Sequence, residues 1–137
     1  MKTLLIITAM LEAVIGLALL LAPALPVSLL LGVVLETPGE QVVARVAGAA
    51  LLALGLACWL ARGEVRSRAG RGVVRAILLY NASAVAVLTH AGLGLGLFGV
   101  GLWPAVGLHA GLAIWCVACL GMGRANAAAE SRQPKLK

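Results

Sequence analysis

Glu12 is the residue in this chain whose chemistry is hardest to explain as packing. It stands near the middle of an apolar run, residues 3–22. An acid at the centre of a membrane span costs ~2.5 to 3.5 kcal/mol on insertion scales, so an intramembrane carboxyl is read first as a functional group. Thr8 lies one helical turn below it on the same face. If the first and third apolar runs both cross outward, residues at similar counts from their inner ends share a depth. That counting sets Glu12 level with Asn81 and close to Tyr80. Two outcomes are open: an uncharged carboxyl hydrogen-bonded to Asn81 or Tyr80, or a site that binds a proton or a ligand.

Arg45 is the nearest cation in sequence terms, but its helix begins on the outer side and side chains lean toward their own helix's amino terminus. At ~1.5 Å rise per residue it starts ~9 Å from Glu12 in depth. A direct pair needs a shifted second helix; snorkelling, or pairing with Glu40 or Glu36, is the expectation.

His90 and His109 stand roughly nine or ten residues either side of the bend between the last two apolar runs, which puts them at nearly one depth. Two level imidazoles could hold a haem iron or a metal, or relay protons. Hydrogen bonds to carbonyls, or to Thr89 and Ser83, are the plainer alternative. One Phe and one Tyr leave little aromatic packing for a haem, and no third metal ligand is obvious at that depth. No resident cofactor is expected. Cys116 and Cys119 form a C-x-x-C near the inner end of the last run, and Cys58 sits near the inner end of the second. A reactive C-x-x-C normally opens a helix, where the terminus favours the thiolate. This one closes a span, so small apolar packing without a disulfide is expected.

The elements that must position these groups are four apolar runs, residues 3–22, 41–61, 73–97 and 103–121, each near the ~20 residues a bilayer span requires. Hydrophobic residues make up 62% of the 137, charged residues 12%, and the mean hydropathy is +1.05. So few charges could not cover four such helices in water. The expected fold is therefore all-α: a four-transmembrane-helix bundle, residues 1–123, followed by a cytoplasmic tail, residues 124–137, expected to be frayed or disordered after Arg124. Pro23 and Pro26 should stop the first helix. The apolar stretch 27–35 is too short to cross and is read as a short interfacial helix. Thr37, Pro38 and Gly39 read as a turn. The amino terminus resembles a signal peptide, with Lys2 and the small-residue triplet Ala22, Pro23, Ala24, but the prolines obstruct processing and a retained helix is expected.

A net charge of +6 would suggest nucleic acid in a soluble protein. Here Arg62, Arg66, Arg68, Arg71 and Arg75 crowd one connection, with Lys2 at one end of the chain and Arg124, Arg132, Lys135 and Lys137 at the other. Four crossings put all three segments on one side, which the positive-inside rule makes cytoplasmic. The arginine-rich connection is read as a topology determinant lying against anionic headgroups, and no nucleic acid partner is expected. Seventeen glycines indicate close backbone packing between helices. Gly92 with Gly96, and Gly107 with Gly111, are small-xxx-small pairs on the arms of the last hairpin, and folding it about residues 99 and 100 sets Gly92 level with Gly107.

The run GLALLLAPALPVSLLLG, residues 16–32, followed by ARVAGAALLALGLACWLAR, residues 44–62, resembles small bacterial four-helix membrane proteins that are loosely DoxX-like in layout. The resemblance covers essentially the whole chain and implies a bacterial inner-membrane bundle, without any catalytic residue. The segment LEAVIG around Glu12 is similar to the small multidrug transporters, whose proton- and cation-binding glutamate would map onto Glu12. The longer first connection and the lack of a Trp in the third helix depart from that pattern. No phosphate loop, nucleophile elbow or metalloprotease helix occurs. The function expected first is a non-enzymatic membrane protein, embedded in the lipid bilayer, that self-associates as a homo-oligomer or serves other membrane subunits. A proton-coupled small-molecule transporter centred on Glu12 comes second. A haem or metal carrier through His90 and His109 comes third.

Overall fold

The computed structural model describes the backbone of residues 1–132 and the side chains of residues 1–122. The described residues form five helices and no strands: α1 (Lys2–Leu21), α2 (Ala24–Leu31), α3 (Pro38–Ala61), α4 (Arg68–Gly94) and α5 (Leu102–Arg132). Four of them, α1, α3, α4 and α5 as far as Met122, are long and apolar enough to cross a membrane. The tail, expected to be frayed or disordered after Arg124, is helical as far as Arg132. The rest of it, residues 133–137, lies outside the described residues.

Proline and glycine set the element boundaries, several of them displaced from the expected positions. The short helix expected at 27–35 runs instead from Ala24 to Leu31. Pro26 falls in its first turn, where no backbone donor is needed, and Gly32 ends it in the left-handed region with φ 72°. Thr37 does not merely turn the chain. Its Oγ1 accepts from the Glu40 amide at 3.3 Å while Glu40 Oε2 accepts from the Thr37 amide at 3.0 Å. This capping box, with Pro38 as the first helical residue, starts α3 three residues ahead of the expected Gln41. Ser67 likewise caps α4, its Oγ accepting from the Gly70 amide at 2.9 Å. At its other end α4 stops at Gly94 instead of continuing to residue 97. The amides of Leu95 and Leu97 reach back to the carbonyls of His90 and Ala91, at 3.2 and 3.0 Å, around Gly96 with φ 68°. Gly96 is thus a helix stop and not a packing residue.

The close helix–helix approach lies elsewhere than expected. A Cβ placed on Gly16 would stand 2.8 Å from the Gly48 carbonyl oxygen, and one on Gly48 would stand 2.7 Å from the Gly16 carbonyl oxygen. Further along, a Cβ on Gly55 would stand 3.1 Å from the Ala9 oxygen and 3.3 Å from Glu12 Cβ. Residue numbers rise on one helix as they fall on the other, so α1 and α3 run antiparallel with their backbones nearly touching. The seven-residue steps from Ala9 to Gly16 and from Gly48 to Gly55 keep that seam facing the partner.

Helices α4 and α5 form the second antiparallel pair. A Cβ on Gly92 would meet Leu102 Cδ2 at 2.8 Å and the Trp103 ring at 3.3 Å, while Gly107 and Gly111 have nothing within 4 Å to meet. Gly92 therefore does not face Gly107. The hairpin is folded asymmetrically because α4 stops early and its loop is anchored sideways: the Gly101 amide donates to the Leu29 carbonyl of α2 at 2.8 Å. Inside, Leu4, Leu5, Ala9, Cys58, Val74, Ile77, Leu112, Cys116 and Cys119 make one buried cluster drawn from α1, α3, α4 and α5. Outside, large apolar side chains such as Leu60, Leu79, Leu93 and Ile114 are exposed on the long helices, as a hydrocarbon solvent allows.

Candidate functional site

Glu12 occupies the seam between the two helix pairs. Gly55 across from it carries no side chain, and that gap admits the Glu12 Cβ between α1 and α3. The Glu12 side chain is only 5% exposed. From the opposite pair, Tyr80 Oη donates to Glu12 Oε2 at 3.5 Å, the long end of hydrogen-bonding distance. The Tyr80 ring in turn meets the His109 ring edge-on, with centroids 5.6 Å apart and planes at 83°.

His109 Nδ1 lies 2.8 Å from Asn81 Oδ1, and Asn81 Nδ2 donates to the Ile77 carbonyl at 2.8 Å. The second bond fixes the amide orientation, since only the NH2 group can donate to a carbonyl. Asn81 therefore presents an acceptor, and His109 must carry its proton on Nδ1. In the uncharged imidazole that leaves the lone pair on Nε2. Asn81 is fully buried and His109 half-buried. Thr8, one turn from Glu12, is fully buried as well, and its Oγ1 has no hydrogen-bond partner among the described residues. A buried hydroxyl costs free energy unless it bonds, so Thr8 holds unused hydrogen-bonding capacity beside the acid.

The result is a line of polar groups: Glu12 on α1, Tyr80 on α4, His109 on α5 and Asn81 back on α4. It contains an acid that can bind or release a proton, a phenol and imidazole that donate or accept, and an amide that pins the imidazole. Such a set can exchange protons and make directional hydrogen bonds. It has no nucleophile–base pair of the kind covalent catalysis needs.

Arg45, His90 and the three cysteines stand apart from this line. Arg45 is exposed on α3, ten residues from the Gly55 that faces Glu12, which is ~15 Å along the helix axis. His90 is exposed near the carboxy-terminal end of α4, its ring lying over Gly94, where an added Cβ would stand 2.7 Å from Nδ1. It does not pair with His109. The asymmetric hairpin sets His109 beside Asn81, nine residues or ~13 Å down α4 from His90. Among the described residues no group of three or more His, Cys, Asp or Glu side chains is placed to hold a metal ion. Cys58, Cys116 and Cys119 are buried free thiols in the apolar cluster.

His109 was visible as a polar exception in the fourth run, but its partner was not. That contact depends on hairpin register, which equal counting from the bend misplaces. No protein-family model, curated protein or solved structure matches this chain.

Proposed function

We propose that this chain is a four-helix bundle of the bacterial inner membrane, with both termini in the cytoplasm, that couples proton binding at Glu12 to the binding and passage of a small hydrogen-bonding molecule. One observation carries the reading: Tyr80 reaches from one helix pair to the acid of the other while its ring rests on His109. A group bound there touches both pairs, so its protonation state and its occupancy bear on how the pairs sit against each other. The unpartnered Thr8 hydroxyl supplies a further bond for a ligand. The cytoplasmic orientation rests on the arginine-rich connection between α3 and α4, since the connections on the other face carry only Glu36 and Glu40.

Proton uptake by the purified protein in weakly buffered detergent tests this directly. As pH falls, the native chain is expected to bind a proton that Glu12→Gln does not, because the amide cannot titrate. Superimposable uptake curves for the two proteins contradict the reading.

A second reading has its own observation. Gly107 and Gly111 on α5 face open space, and small residues on a lipid-facing surface let another helix approach closely. Self-association, or docking as an accessory subunit, would use that face. Cross-linking in mild detergent that returns only a monomer without partners counts against it.

A further inference from the structure

The turn between α3 and α4 gathers arginines in a pattern that helix stability alone disfavours. Arg68, Arg71 and Arg75 follow one another at steps of three and four residues, so they share one face of α4, and all are exposed. They occupy its first two turns, and the first turn contains no acid. The amino-terminal end of a helix carries a partial positive charge, so cations there are repelled and anions attracted. Nothing fills the space at Gly72 on this face, and one turn beyond Arg75 the surface becomes apolar with exposed Leu79.

The turn itself is held in shape. The amides of Glu64 and Ser67 donate to the carbonyls of Ala61 and Glu64 at 3.1 and 2.9 Å. Arg71 Nη1 donates to the Arg66 carbonyl. Gly70 lies so close beneath the loop that an added Cβ would stand 3.0 Å from Val65 Cα. Across the turn, the Arg62 guanidinium stacks 3.7 Å over the exposed Trp59 ring. Three exposed guanidinium forks on one helix face, Arg71 also tied to the turn and the face turning apolar at Leu79, match a phosphodiester joined to acyl chains.

We infer that this face binds the headgroup phosphate of an anionic phospholipid as a discrete site, Arg68, Arg71 and Arg75 engaging the phosphate and the surface from Leu79 onward carrying an acyl chain. The site rests on the membrane-spanning placement of α4 and not on the role of Glu12, so either can fail alone. The occupant is a membrane lipid and not free phosphate, because the apolar continuation of the same face gives the chains a surface.

Native mass spectrometry of the full chain, released from detergent with phosphatidylglycerol or phosphatidylcholine added at equal concentration, reads the site. Phosphatidylglycerol is expected to remain bound and phosphatidylcholine to be lost, with retention weakening as salt is raised. Removing the three charges together, Arg68→Gln, Arg71→Gln and Arg75→Gln, should lower phosphatidylglycerol affinity about a hundredfold, at roughly fivefold per basic residue. The triple Lys replacement should fall between, since it keeps charge but loses the fork. Equal retention of the two lipids by the native chain overturns the inference even if the triple variant cannot be purified. So does a triple Gln variant that folds and binds like the native chain, or displacement of the lipid by equimolar inorganic phosphate.

Discussion

Gly48→Leu is expected to separate α1 from α3 and to leave little folded protein in detergent. The Cβ alone would stand 2.7 Å from the Gly16 oxygen and 2.8 Å from the Leu20 amide nitrogen. Both are backbone atoms of α1, which cannot swing aside as a side-chain tip can. Overpacking a well-fitted interior costs about 1–3 kcal/mol where neighbours yield; here the whole helix has to move, so the loss should reach or pass the top of that range. Against a typical total stability of about 5–15 kcal/mol this is a large fraction. Gly107→Leu is the matched control, because its Cβ meets nothing within 4 Å, and its folding cost should stay within about 0.5 kcal/mol. Unfolding by denaturing detergent, followed by circular dichroism, orders the two. A folded Gly48→Leu protein with native stability would mean that the helices are not in backbone contact there.

The second large effect is expected at Asn81. Its side chain is fully buried and bonded at both ends, to the Ile77 carbonyl and to His109. Asn81→Ala removes both bonds and leaves the Nδ1 proton of the half-buried His109 without its acceptor. Leaving a buried polar group unpaired costs about 1–3 kcal/mol, and the vacated volume adds to it. Tyr80→Phe removes only the long bond to Glu12 and keeps the ring, so its cost should be nearer 0.5 kcal/mol. The same unfolding assay should therefore rank Asn81→Ala well below Tyr80→Phe in stability. A double-mutant cycle of Asn81→Ala with His109→Ala should give a coupling of about 1 kcal/mol, since the residues share one hydrogen bond. Additive losses would mean that they do not interact.

The four long helices were legible because their signal is summed over some twenty residues each, and no local detail can reverse it. Counting depth from the inner ends brought Glu12 near Tyr80 for a similar reason: helical rise is uniform, so error accumulates slowly. Hairpin register was not legible. It turns on a single positive φ at Gly96 and on the Gly101 amide bound to α2, and the altered fold of the hairpin put Asn81, nine residues before His90, beside His109. Nor could glycine spacing alone locate the tight seam. Where small residues are this frequent, pairs such as Gly107 and Gly111 look the same in sequence as Gly16 and Gly48, and only three-dimensional placement distinguishes an open face from a closed one. The capping box at Thr37 and Glu40 is different: its T-x-x-E spacing was present, but Pro38 and Gly39 between them read more strongly as a turn.

Tyr80 on α4 donates across the helix pairs to Glu12 on α1, and the proposed proton coupling requires that this carboxyl titrate. Infrared difference spectroscopy of the protein in lipid, recorded between two pH values, tests it most directly through the carboxyl stretching band. The expected result is a pH-dependent band that vanishes in Glu12→Gln and moves in frequency in Tyr80→Phe, because losing a donor changes the carboxyl bond order. A band that survives Glu12→Gln, or one that Tyr80→Phe leaves unmoved, would contradict it.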